Sequence, residues 1–306
     1  MDYNTALSDD LVVRRRRLQK EMQKSGIDAC ILTTSVNVFY MVGGVFNGYY
    51  FLPASGEPTH FIKRTIDFHL DNVIHIRKPE QIVEELRKVR INVPSKILLE
   101  VDALSITDAN RLISSLNLNL PDISNASVLL RKLRSVKSEF ELQQVRLCAA
   151  RHVEVYEQIP SIYKEGMTDL DLQFAIEFLM RKHGALGIFR SYGANMDIYM
   201  GSLLVGENAE SPSPFDFALG GKGGSPILPL GACGEKIKHG DTIMVDMAGN
   251  YSPWMTDMTR VFSVGKISDL AYKAHAVSGE IHQHIISVAK NGTACADLYN
   301  MALEIV

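Results

Sequence analysis

The chain has 306 residues, 46% of them apolar and 22% charged, which is length and apolar content enough for two cores of ordinary size. Its 32 basic and 35 acidic residues are spread evenly and leave a net charge of -3, so no basic field exists to hold nucleic acid or anionic lipid, and the expected partner is a small molecule or peptide. The start MDYNTALSDDL lacks the basic opening and apolar stretch of a signal peptide, and no later window holds eighteen apolar residues, so the reading is a cytoplasmic protein with no membrane span.

Residues 11–25, LVVRRRRLQKEMQKS, place Val12, Leu18 and Met22 among dense charge and stop at Gly26, the pattern of an amphipathic helix with a C-terminal glycine. Arg14 to Arg17 within it read as a solvated face rather than a nucleic-acid patch. Short apolar runs follow: IDACILTT, YYFLP, THFIK, NVIHI and KILLE, separated by turn residues or by the helical stretch PEQIVEELRKV. Strands alternating with helices predict a small α/β domain over 1–132.

The second domain is expected over 133–306. Ser138 with Glu141 three residues later makes a capping box, and Leu142, Val145, Ala149, Val153 and Tyr156 continue at helical spacing. Thr168 and Asp171 open another helix, with Gly184 as its stop. The Gly, Ser and Pro stretch from 206 to 234 predicts a long loop of the kind that borders a binding site. Its GGKGG cluster lacks the order of a phosphate-binding loop. The four cysteines, at 30, 148, 233 and 295, form no close pair, which argues against a zinc knuckle or disulfide framework.

The segment 241–265, DTIMVDMAGNYSPWMTDMTRVFSVG, reads as a hairpin of strands 242–248 and 255–264. A two-residue turn at Tyr251 and Ser252 would put Asp246 directly opposite Asp257, although Pro253 leaves room for a shifted register. Opposed side chains have Cβ atoms about 4.5–5.5 Å apart, a separation at which two carboxylates destabilise a hairpin unless a cation lies between them. A divalent metal would serve, and a bridged pair of metals would also activate water. The alternatives are two aspartates that simply flank a turn, or neutralisation of one by Arg260. His282 and His284, two apart on a helix, point in different directions, and His239 lies in an exposed turn.

These residues resemble the pita-bread metallopeptidases, the group of prolidase, Xaa-Pro aminopeptidase, methionine aminopeptidase and creatinase. The match runs through Asp246, Ala248, Asp257, Thr259, Arg260 and Phe262, with ten residues between the aspartates, and is joined by LRSVKSEFEL at 133–142 and NVFYMVGG at 37–44. The resemblance spans both domains and so implies the prolidase, aminopeptidase P and creatinase branch. It implies an α/β creatinase-like N-terminal domain followed by an α+β pita-bread catalytic domain, incomplete at its C-terminal end. It further implies a metal-dependent Xaa-Pro exopeptidase, a proline-containing peptide substrate, two divalent ions (manganese, cobalt or zinc) held in part by Asp246 and Asp257, and homodimerisation. The family's remaining ligands, a histidine and two glutamates, would follow the helix that ends the chain, so weak or absent metal binding and an inactive chain are expected. Leu230 stands where the family often carries a substrate-handling histidine, and leucine can neither donate a hydrogen bond nor move a proton. The alternatives kept open are a non-catalytic peptide-binding or protein-binding module and a creatinase-like C–N hydrolase.

Overall fold

The computed structural model describes residues 2–189, 198–215 and 220–306, and it divides into two compact units, Met1–Leu142 and Gln143–Val306. The first unit is an α/β layer structure. Helix α1 (Tyr3–Lys24) leads into β1 (Ala29–Leu32), α2 (Ser35–Val42), β2 (Gly48–Pro53), β3 (Thr59–Ile62), β4 (Val73–His75), α3 (Ile82–Lys88) and β5 (Ile97–Leu99). It closes with α4 (Ile106–Ser115), β6 (Ile123–Asn125) and α5 (Ala126–Ser135). The six strands run in the order β4-β3-β2-β1-β5-β6, with β1 antiparallel to β2 and parallel to β5.

Both faces of this sheet are covered, which is why its strands read as unbroken apolar runs rather than alternating ones. Cys30, Leu32, Tyr50 and Leu52 share one core with Leu18 and Met22 of α1 and Leu130 and Leu133 of α5. Their sequence neighbours Ala29, Ile31 and Phe51 turn the other way, onto Ile82 and Leu86 of α3 and Leu112 of α4. Glu100, 1% exposed, ties the end of β5 to the start of α2. Its carboxylate accepts hydrogen bonds from the backbone N–H and hydroxyl of both Thr33 and Thr34 and from Asn37 Nδ2.

The arginine run departs from the solvated face that its composition suggested. Arg14 is 1% exposed, because Asp10, Arg14, Leu18 and Met22 share one stripe of α1 at intervals of four. Its guanidinium pairs with Asp10, lies 3.6 Å from Glu141 and stacks 4.6 Å from the Tyr40 ring centroid. Arg17 donates to the carbonyls of Leu133 and Val136. Buried charge of this kind is tolerated only when paired, and here the pairing comes from Asp10 on the same helix and from Glu141 in the first turn of the next helix after α5, Glu139–Ile162.

The second unit contains most of α6 (Glu139–Ile162), then α7 (Asp169–Lys182), β7 (Gly201–Val205), β8 (Thr242–Gly249), β9 (Thr256–Ser263), α8 (Asp269–Val288) and α9 (Cys295–Ile305). Both predicted helix starts are present: Ser138 and Glu141 satisfy each other's backbone N–H groups, as do Thr168 and Asp171. Strands β7, β8 and β9 form an antiparallel sheet in that order. Leu203, Val205, Ile243, Val245 and Met247 bury one face of it against Val155, Ile159, Leu172 and Ile176 of α6 and α7. The opposite face carries Asp246. No residue of α8 or α9 is buried. No helix among the described residues is long and apolar enough to cross a membrane.

Candidate metal centre

The hairpin forms where the sequence put it, with a different register. Asp246 faces Thr259 and Asp257 faces Ala248, so the two aspartates are diagonal neighbours on one face rather than directly opposed. The cause is the connection. It spans the six residues 250–255 instead of two, because Asn250 is anchored outside the hairpin, donating to Ile188 O at 2.5 Å and accepting from Gly187 N–H at 3.2 Å. Tyr251 is also drawn into the core, 5% exposed, with its ring centroid 5.7 Å from that of His152. Diagonal Cβ atoms lie about 7–8 Å apart, so both carboxylates can reach into one space without touching.

That space is a cleft of about 300 Å³ lined by Asp246, Ala248, Thr256 and Asp257 of the hairpin and by Met200 and Ser202 at β7. Asp246 is half-buried and Asp257 exposed. Thr259 donates its hydroxyl proton to Asp246 Oδ1 at 2.5 Å and so fixes that carboxylate's rotation. Burial raises the Asp246 pKa, the Thr259 hydrogen bond lowers it, and the charge of Asp257 raises it further. Among the described residues no positive group acts on it. Arg260 does not neutralise either aspartate: it faces Val245, one residue out of phase with them along β9, and donates to Thr259 O at 2.7 Å.

Two carboxylates gathered on one face and repelling one another, with no cation beside them among the described residues, suit a divalent ion's preference for oxygen donors. They amount to part of a ligand set. No group of three or more His, Cys, Asp or Glu suited to a metal occurs among the described residues. His239, His282 and His284 are exposed and stand apart from the cleft. All four cysteines are free thiols, two of them buried, as their spacing implied. Leu230 is buried at 2% exposure and does not line the cleft. Its loop is held from below, since Asn208 donates to Gly231 O at 2.9 Å and the buried Asp169 accepts from Cys233 N–H and Gly234 N–H at 3.0 and 2.7 Å.

The surroundings of the aspartates include groups that spacing alone did not single out. Cys148, His152 and Tyr156 recur every four residues on α6 and meet the back of the hairpin. Cys148 Sγ lies 3.7 Å from Gly249 O, His152 Nδ1 lies 3.0 Å from Thr256 Oγ1, and the Tyr156 hydroxyl reaches the backbones of both strands. Tyr156 was legible as a helix-face apolar position, while nothing in the sequence indicated where its hydroxyl would go. Gly201 allows β7 to approach Asp246: a Cβ at that position would lie 2.0 Å from Asp246 O.

The sequence profile of the creatinase/prolidase N-terminal domain matches residues 14–136, and that of metallopeptidase family M24 matches residues 143–306. An uncharacterised peptidase of Staphylococcus aureus (strain USA300) is 23% identical over 94% of this chain and 76% of its own length. Among solved structures, the prolidase from Pyrococcus horikoshii OT3 superposes with a TM-score of 0.72 at 18% identity, covering 95% of this chain and 76% of that one. The X-Pro aminopeptidase from Thermotoga maritima MSB8 gives 0.72 at 19% identity, over 92% and 75% respectively. These likenesses establish a creatinase-type N-terminal domain and a pita-bread catalytic fold, and the M24 profile covers more than half of the sequence. The chain belongs to metallopeptidase family M24.

Proposed function

We propose that the protein is a metal-dependent exopeptidase acting on Xaa-Pro peptides, with Asp246 and Asp257 supplying carboxylate ligands to a dinuclear divalent-metal centre. The observation that carries the reading is the pair itself: two carboxylates on one hairpin face, lining one cleft, with the charge of Asp257 raising the pKa of Asp246. Membership of a peptidase family supports the reaction class. The proline preference draws on the structural neighbours, which include a prolidase, an X-Pro aminopeptidase and an Xaa-Pro dipeptidase from Bacillus anthracis. Manganese, cobalt or zinc is the proposed metal, the cytoplasm the proposed location and a homodimer the proposed assembly.

When bound, divalent ions supply a hydroxide nucleophile near neutral pH and polarise a scissile carbonyl. The chain's own groups prepare that chemistry. Asp246 and Asp257 present oxygen donors from adjacent strands, Thr259 locks one Asp246 oxygen, and Met200 and Ala248 contribute apolar surface to the cleft wall. The donors gathered among the described residues are too few for tight binding, so the affinity of this 306-residue chain is expected to be weak.

The test is hydrolysis of a short panel of Xaa-Pro peptides with added manganese, using the protein as its gene encodes it beside Asp246→Asn and Asp257→Asn. Metal-dependent cleavage lost in both variants is the expected result. A second reading, a non-catalytic peptide-binding module, is favoured by Leu230, which removes the polar side chain often found at that position. Peptide binding without turnover, unaffected by chelator, would replace the enzyme reading with that one.

A further inference from the structure

We infer that Tyr156 is a positioning residue for the aspartate pair, its hydroxyl clamping the backbone residue that follows each aspartate. The inference rests on reading Asp246 and Asp257 as metal ligands. Tyr156 projects from α6 onto the buried back of the hairpin and is 5% exposed. Its hydroxyl oxygen accepts the Met247 N–H at 3.1 Å and lies 2.6 Å from Met258 O, to which it gives its proton, with Val245 O at 3.3 Å.

Met247 and Met258 face each other across the ladder. Met247 directly follows Asp246, and Met258 directly follows Asp257. The clamp therefore sits at the one register position bracketed by the two carboxylates, with Asp246 opposite Thr259 on one side and Ala248 opposite Asp257 on the other. A phenol can accept and donate at once, which joining an N–H to a C=O across two strands requires. Burial raises its pKa, so the group stays neutral and keeps the proton it donates.

The ring is fixed from one helical turn earlier. His152 meets it edge-on at 4.9 Å between centroids and holds Thr256, the residue before Asp257. Because side chains alternate across a strand, Met247 and Met258 point toward α6 while the aspartates point into the cleft. Tyr156 thus acts on the carboxylates only through the backbone, and touches neither them nor the space between them.

The experiment is a Mn²⁺ titration followed by the loss of the free-ion electron paramagnetic resonance signal, on the protein as its gene encodes it. Tyr156→Phe keeps the ring and removes the clamp, and should weaken Mn²⁺ binding by about 10–100-fold, the usual cost of losing a group that orients a metal ligand, with an unchanged far-UV spectrum. Ile159→Val, which loosens the same helix without a polar contact to the hairpin, should leave the affinity at the wild-type value. Wild-type affinity in Tyr156→Phe, with binding lost in Asp246→Asn, would overturn the positioning role and leave the metal reading standing. Equal weakening in Tyr156→Phe and Ile159→Val would also overturn it, since general loosening would then explain both. Unchanged binding in Asp246→Asn, or no Mn²⁺ binding by the wild type, would overturn the metal reading and the clamp's role with it.

Discussion

Replacing Asp169 by Asn tests how the loop that carries Leu230 is held. Asp169, fully buried at the start of α7, accepts from Leu170 N–H and Gly234 N–H through Oδ1 at 2.8 and 2.7 Å. Its Oδ2 accepts from Cys233 N–H and Asn208 Nδ2 at 3.0 and 3.3 Å. An asparagine must turn its amide nitrogen toward one of these pairs, so two donors lose their acceptor whichever way it flips, and the charge that favours a helix N-terminus goes as well. At about 1.5–3 kcal/mol for each hydrogen bond to a charged group, the second unit should lose about 3–6 kcal/mol. The sequence has a single tryptophan, Trp254, in the β8–β9 connection, so its fluorescence during urea unfolding reports on that unit. With a urea dependence of about 2 kcal/mol per molar, the midpoint should fall by about 1.5–3 M. A loss under about 1 kcal/mol would refute the reasoning, because it would mean that water or a relaxed loop replaces the carboxylate at little cost.

Two further outcomes follow from the same sheet. Burial, with the Arg260 charge adding to it, lowers the His152 pKa from 6.5 to about 4, so the folded state holds the neutral ring. The stability this confers is complete above the unfolded value and is lost as pH falls toward about 4, to a total of about 3 kcal/mol. Urea midpoints by Trp254 fluorescence should fall between pH 7 and 4.5 by more in the wild type than in His152→Gln. Gly201→Ala would place a methyl 2.0 Å from Asp246 O and 2.6 Å from Met247 Cα, forcing β7 away from β8. It should cost about 1–3 kcal/mol by thermal denaturation and weaken Mn²⁺ binding together with stability.

In the first unit, Glu100→Gln puts an amide nitrogen where an oxygen accepted two or three hydrogen bonds, and about 3 kcal/mol or more should be lost, read by far-UV circular dichroism. Trp254 fluorescence should report no matching change.

The α/β order of the first unit was readable because β1, β2, β3 and β5 are apolar runs of strand length between turn residues. The weaker strand β6, Ile-Ser-Asn, carries too little pattern to announce itself. Arg14 shows the limit of composition: a cation among arginines reads as surface until Asp10, four residues earlier, and the more distant Tyr40 and Glu141 are brought around it. The hairpin and both aspartates were legible from alternation and from the family's motif. Their exact facing was not, because the register depends on Asn250 reaching Ile188 and Gly187, more than sixty residues away in the chain. The same holds for Tyr156, whose partners lie about ninety to one hundred residues on. Local spacing reports which face a residue takes and is silent on what a hydroxyl at its tip will meet.

Among the described residues β9 is the outer strand of its sheet, which leaves one row of its backbone N–H and C=O groups without a neighbouring strand. Such an edge is a template for another chain, and exposed charges along it discourage that pairing. Asp257 and Arg260 are exposed there. Neutralising Asp257 to probe metal binding therefore also strips a guard from the edge, so a drop in soluble yield of Asp257→Asn would report self-association rather than a failure to fold, and a lysine placed at the exposed Thr259 would not be an innocent rescue, since that hydroxyl orients Asp246.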